Sequence, residues 1–362
     1  MNNQEPTIVT MFYNIRVKEG NKFNSQFNRS VTTYFDFSKQ FILKLPYNLI
    51  IFTDDDECIE MIIKERNTYK NKTCIYNKKF EDTYFYKYSD KLWELREKFV
   101  IINGQINHET PMYIILNNNK FDFMEYSINI NPFNSSHFIW LDFAINHVAL
   151  NVELISEWIN NIPDKIKQLC INPYIEDLEN KEMFRYIYHH TAGGLFTGSK
   201  DYLLKYCELF KKKTQQIYNE DWYQIDEAVM TMVQRENHEL FEFFYGDYQG
   251  IVSNYVSPIH NIDLILKGSQ KFINFNKPKQ AYDILCYCSK YFEMNITNDL
   301  IYLYINQHII VDYYNNNKLL LNSVIELINL LKKMVNNDRI INLLNSNVNN
   351  IIYYENKEYI IN

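Results

Sequence analysis

The chain has 362 residues, 46% of them hydrophobic and 16% aromatic, and a formal net charge of −7. That is enough apolar material for two domains, or for one large domain with an appendage. The acidic balance argues against a nucleic-acid scaffold with a broad basic face, and no apolar run approaches the roughly 20 residues that span a bilayer.

The first elements alternate. Residues 7–13, β-branched and aromatic after a proline, read as a strand. Residues 30–43 carry apolar side chains at helical spacing until Pro46 stops them, and residues 47–53 read as a second strand. Asp54, Asp55 and Asp56 are placed to cap a helix over 57–66, and residues 73–76 form a short third strand. Strand, helix, strand, helix, strand is the signature of a parallel α/β layer. Residues 91–99 and 112–130 read as helices, the second broken near Asn117, Asn118 and Asn119 and ended by Pro132. Residues 138–141 form the next strand, with Asp142 at its tip, and residues 165–171 another. Residues 186–199 read as a loop, because Gly193, Gly194 and Gly198 favour tight turns. Helices follow over 200–218 and 224–235, then a strand over 240–244. Beyond residue 267 three helical periods are separated by Asn-rich turns, so the expected domains are 1–267 and an all-α region over 268–362.

Several residues could carry chemistry. A carboxylate at the carboxyl end of a buried strand sits where open α/β sheets bind ligands. Asp142 is therefore a candidate ligand for a divalent cation holding a diphosphate. The alternative is a turn or cap aspartate. Asp226 and Glu227 sit at a helix start, where acids are favoured, and suit a base that takes a proton from an acceptor hydroxyl. A first-turn acid pair is the plainer reading. Gly193 and Gly194 allow close approach of backbone to sugar or phosphate, although no Walker loop or GxGxxG pattern is present. Asp247, flanked by aromatics including Tyr248, suits a sugar hydroxyl. Lys120 and Arg29 could neutralise phosphate. The six cysteines lack a CxxC pair and read as reduced thiols. The first residues show neither a basic flank nor an apolar signal region, which gives a cytoplasmic expectation.

Taken in order, Ile8–Tyr13, Arg29 with Tyr34, Leu49–Asp54, Lys120, Asn131–Asn134, Phe138–Ala144, Ala192–Gly198, Asp226 with Glu227, Gly246–Tyr248 and Asn254 with Tyr255 resemble the blocks of the HtrL/YibB family of bacteria and giant viruses. The resemblance covers about two-thirds of the chain; Ala144 stands where the family places glycine. It implies a GT-A-like (Rossmann-type) mixed sheet flanked by helices, followed by the helical appendage. It also implies a metal-dependent glycosyltransferase in the host cytoplasm if the chain is viral. On that reading Thr10, Tyr13, Thr53 and Asp54 line the base and ribose of a UDP-linked nucleotide-sugar donor. Asp142 holds Mn²⁺ or Mg²⁺ with help from Lys120, and Gly193 and Gly194 shape the sugar pocket. Asp226 or Glu227 acts as base, and Asp247 and Tyr248 meet the substrate. The acceptor, whether glycan, protein or small molecule, is left open, and the helical tail is an expected homo-oligomer contact. The competing expectation is a non-catalytic nucleotide- or sugar-binding module acting through its tail.

Overall fold

The computed structural model describes residues 5–19, 29–102, 109–172, 180–185, 190–255 and Asn342. The chain divides into two units, residues 1–170 with 176–244, and residues 171–175 with 245–362. The sheet and cleft described below belong to the first. The helical periods expected beyond residue 267 lie outside the described residues, Asn342 apart.

In chain order the elements are β1 (Thr7–Met11), α1 (Ile15–Lys18), α2 (Val31–Gln40), β2 (Asn48–Thr53), α3 (Asp56–Glu65), β3 (Thr73–Asn77), α4 (Ser89–Lys98), α5 (Pro111–Ile130), β4 (His137–Leu141), α6 (Ile155–Trp158), β5 (Ile166–Cys170), α7 (Asn180–Phe184), β6 (Thr191–Ser199), α8 (Lys200–Asn219), α9 (Asp226–Glu236) and β7 (Phe241–Tyr245). The seven strands form one sheet in the order β3-β2-β1-β4-β6-β5-β7. β3, β2, β1 and β4 run parallel to one another, while β6 is antiparallel to both β4 and β5. This is the mixed α/β sheet expected from the alternating pattern. Every residue of β1 and β2 is buried, as sheets covered on both faces require.

Local chemistry sets the boundaries. The Asp55 carboxylate accepts from the Cys58 backbone N–H at 2.8 Å and caps α3, with Asp56 and Glu57 in its first turn where the helix dipole favours acids. α5 starts at Pro111, with the Thr110 hydroxyl accepting from Tyr113 N, and ends at Asn131 in the left-handed region at φ 34°. Pro132 cannot continue it.

Two expectations are corrected. α5 is unbroken across Asn117, Asn118 and Asn119. Two of their amides are bonded to side chains outside the helix, and the third shares a carbonyl within it. Asn118 donates to the Tyr218 hydroxyl at 2.7 Å, Asn119 to Thr83 Oγ1 at 2.8 Å, and Asn117 to the Tyr113 carbonyl at 2.9 Å. The glycine-rich segment is a nine-residue strand, β6, and not a loop. Its backbone is paired on both sides, and Gly193 and Gly198 sit against close neighbours. A methyl on Gly198 would lie 3.3 Å from Leu203 Cγ.

Arg66 is 1% exposed and ties the β2–β3 end together. It donates to the carbonyls of Leu45, Tyr47 (2.8 Å) and Lys72 (3.3 Å) and to Thr73 Oγ1 (2.9 Å). Arg66→Met keeps the apolar stem and strands those acceptors, so urea unfolding is expected to show a loss of about 3 kcal/mol.

Candidate functional site

The site grows from the end of β4. Trp140 and Asp142 are two residues apart and share a side of the strand direction. The fully buried Trp140 donates its indole N–H to Asp142 Oδ1 at 2.8 Å, and the Asp142 backbone N–H donates to the Gly194 carbonyl at 2.9 Å. The carboxylate is thus held by its own strand and by β6. Its side chain is 38% exposed. The Lys120 ammonium lies 3.4 Å from Oδ1, while Oδ2 takes no hydrogen bond from the described residues.

Lys120 projects from the middle of α5 into a buried cluster. Its Nζ lies 3.0 Å from Asp226 Oδ2 and donates to the Gly193 carbonyl at 3.1 Å. The Gly193 N–H in turn donates to Glu227 Oε1 at 2.7 Å. Gly193 is glycine for a steric reason: a Cβ there would sit 2.7 Å from Asp226 Oδ2 and 3.3 Å from Lys120 Nζ.

One ammonium therefore serves three carboxylates. Burial opposes the charge on Lys120, but Asp142, Asp226 and Glu227 outweigh it and hold its pKa above the ordinary lysine value. Burial and the neighbouring carboxylates lift Asp226 to about 6, against the pull of Lys120. An acid whose folded pKa lies above its unfolded value near 4 destabilises the fold as it ionises. Between pH 4 and about 6.5 the wild type is expected to lose stability relative to Asp226→Asn, with no further divergence from this group above that. Thermal unfolding of both proteins across that range measures it.

Asp142 and Lys120 open onto a cleft of about 340 Å³ at the carboxyl ends of β1 and β4. Tyr13, Arg16, Arg29, Tyr34, Tyr113, Asn117, Ala144 and His147 also line it. Tyr113, Asn117 and Lys120 fall on one face of α5 at helical spacing, a signal legible in the sequence but not used. Arg16 and His147 carried no motif.

The other expected site residues are placed as follows. Tyr13 lines the cleft, its hydroxyl donating to the Lys78 carbonyl at 2.9 Å. Thr10 is fully buried in β1. Thr53 Oγ1 accepts from the Asp55 N–H at 3.1 Å, a turn role. Asp54 pairs with Lys18 at 2.7 Å and accepts from the Phe80 N–H. None of these last three lines the cleft. Asp226 and Glu227 are 3% and 5% exposed and stand behind Lys120 and Gly193, Asp226 beside the Lys120 ammonium and Glu227 accepting from the Gly193 N–H. Gly193 and Gly194 hold the back of the site through their backbone. Asp247 belongs to the second unit, where its carboxylate accepts from the Tyr248 N–H at 2.7 Å and starts a short turn.

A divalent cation can be tested against these residues. Among the described residues no group of three or more His, Cys, Asp or Glu is placed to hold a metal ion. The wall around Lys120 nevertheless carries two more carboxylates than ammoniums, and Asp142 lines the cleft with one oxygen that takes no hydrogen bond from the described residues. An acidic wall with one free carboxylate oxygen fits a cation that takes its remaining ligands from phosphate and water, as Mg²⁺ commonly does.

Fold and cleft together define an α/β protein with a cleft at the carboxyl edge of its parallel strands. The chain matches, over residues 4–257, the family described as bacterial protein of unknown function (HtrL_YibB), and it belongs to that family. No curated protein matches it. Solved structures do match, among them the apo form of mouse xyloside xylosyltransferase 1. That chain is 14% identical, with 66% of this chain and 84% of that chain covered, at a TM-score of 0.32. Among the described residues no helix is long and apolar enough to cross a membrane.

Proposed function

We propose that the protein is a glycosyltransferase that moves a sugar from a nucleotide-sugar donor, UDP-linked, to an acceptor hydroxyl. The observation that supports this most is the half-exposed Asp142, fixed by Trp140 at the end of β4 and opening onto a cleft with cations on its other sides. Arg16 and Arg29 line that cleft; Arg16 is paired with the buried Glu19 at 3.0 Å, whereas Arg29 makes no ion pair with the described residues and is the cation left for phosphate. The diphosphate would lie between this basic rim and the acidic wall. Tyr13 and Tyr34 offer ring faces for the base or the sugar.

Asp142 would hold the divalent cation, which when bound offsets the charge of the departing nucleoside diphosphate. The residues of the chain do the positioning. Trp140 fixes the carboxylate, the Gly194 carbonyl holds the Asp142 backbone N–H, and Lys120 keeps one positive charge in a wall that would otherwise repel phosphate. Asp226 and Glu227 hold Lys120 and Gly193 in place, and in this reading they act through those residues.

Calorimetric titration with UDP and with UDP-sugars, with and without Mn²⁺, tests the proposal. Metal-enhanced binding together with slow release of UDP from one of the sugars is the expected outcome. Among the described residues the cleft is lined by one acid, Asp142, in place of the two of an Asp-x-Asp pair, which supports a second reading, a nucleotide-sugar-binding module without turnover. Binding with no hydrolysis or transfer from any nucleotide sugar would favour it.

A further inference from the structure

Asp142 is the single carboxylate among the side chains lining the cleft, and the turn that follows it carries a second side chain able to ligate a cation. β4 runs through Asp142 into a short 3₁₀ turn, Ile145–His147. His147 Nδ1 lies 2.7 Å from the Ala144 carbonyl oxygen. A carbonyl can only accept, so Nδ1 carries the proton and the Nε2 lone pair is left for another partner. His147 and Asp142 both line the cleft.

This is the arrangement of a histidine prepared for a metal. Ligating imidazoles almost always donate their other ring N–H to a carbonyl or carboxylate, which fixes the tautomer and the ring plane. With its proton on Nδ1, the His147 ring offers Nε2 as the ligating atom. The Phe37 ring, 6.0 Å away between centroids, packs beside it.

We propose that His147 Nε2 is the second protein ligand, with Asp142, of the divalent cation that binds the donor diphosphate. This rests on the reading of the cleft as a nucleotide-sugar site. The pair stands in for the missing second acid, with phosphate and water completing the coordination shell. Mn²⁺ accepts imidazole nitrogen and carboxylate oxygen alike.

The test is Mn²⁺ binding to the full chain in the presence of UDP, followed by electron paramagnetic resonance, for wild type, His147→Gln and His147→Ala. Circular dichroism checks that the variants, altered in an exposed turn, stay folded. The expected result is a nitrogen hyperfine coupling on bound Mn²⁺ in the wild type. Both variants should lose it, and their Mn²⁺ affinity should fall by at least ~10-fold. If UDP-dependent Mn²⁺ binding is seen without nitrogen coupling, at equal affinity in all three proteins, His147 is not a ligand and the nucleotide site stands. If the wild type binds neither UDP nor Mn²⁺, both the ligand assignment and the reading of the cleft fall.

Discussion

Lys120→Met is expected to destabilise the protein by about 3–5 kcal/mol and to abolish nucleotide binding. The methionine fills the same channel through α5 but leaves Asp226 and Glu227, both almost fully buried, without their shared ammonium. Losing one partner of a buried charge group costs the desolvation of what remains, which exceeds the net worth of the pair. The Gly193 carbonyl, which accepts from Lys120, loses its side-chain donor as well. Urea unfolding measures the first effect. The double variant Lys120→Met with Asp226→Asn separates charge from packing. It should recover part of the loss, because one stranded carboxylate becomes a neutral amide. No recovery would mean that shape, and not charge, sets the cost.

The second large effect is on turnover. Asp142→Asn is nearly isosteric and can still accept the Trp140 indole N–H, and the side chain is 38% exposed. The fold is therefore expected to survive within about 0.5 kcal/mol. Release of UDP from the donor sugar should nevertheless drop by ~100-fold or more, since changing even a residue that only orients a metal ligand costs 10–100-fold. Steady-state hydrolysis at saturating Mn²⁺ measures it. Full activity in this variant would remove Asp142 from the chemistry.

Much of this was legible from residue order. Apolar runs bounded by Asp, Pro and Asn located β1, β2, β4 and their helices, and the acid closing Phe138–Leu141 lay at the sheet edge. The misread parts share one physical cause, a local signal overridden by distant partners. Glycines punctuate an isolated segment, but Gly193 is a strand residue whose missing side chain makes room for Asp226 and Lys120. Asparagines weaken an isolated helix, but Asn118 and Asn119 meet Tyr218 and Thr83. Asp226 and Glu227 were legible as a helix start but not as partners of Lys120, since that pairing exists only after α5 and α9 meet across β6. Arg16 and His147 gave no pattern because single residues after a strand are common, and only the cleft makes them neighbours.

A crystal structure of the protein soaked with UDP and Mn²⁺ bears most directly on the whole account. It should show the diphosphate in the cleft at the ends of β1 and β4, between Asp142 and Arg29. Nucleotide density elsewhere on the chain, or an empty cleft at a UDP concentration that saturates binding in solution, would contradict it.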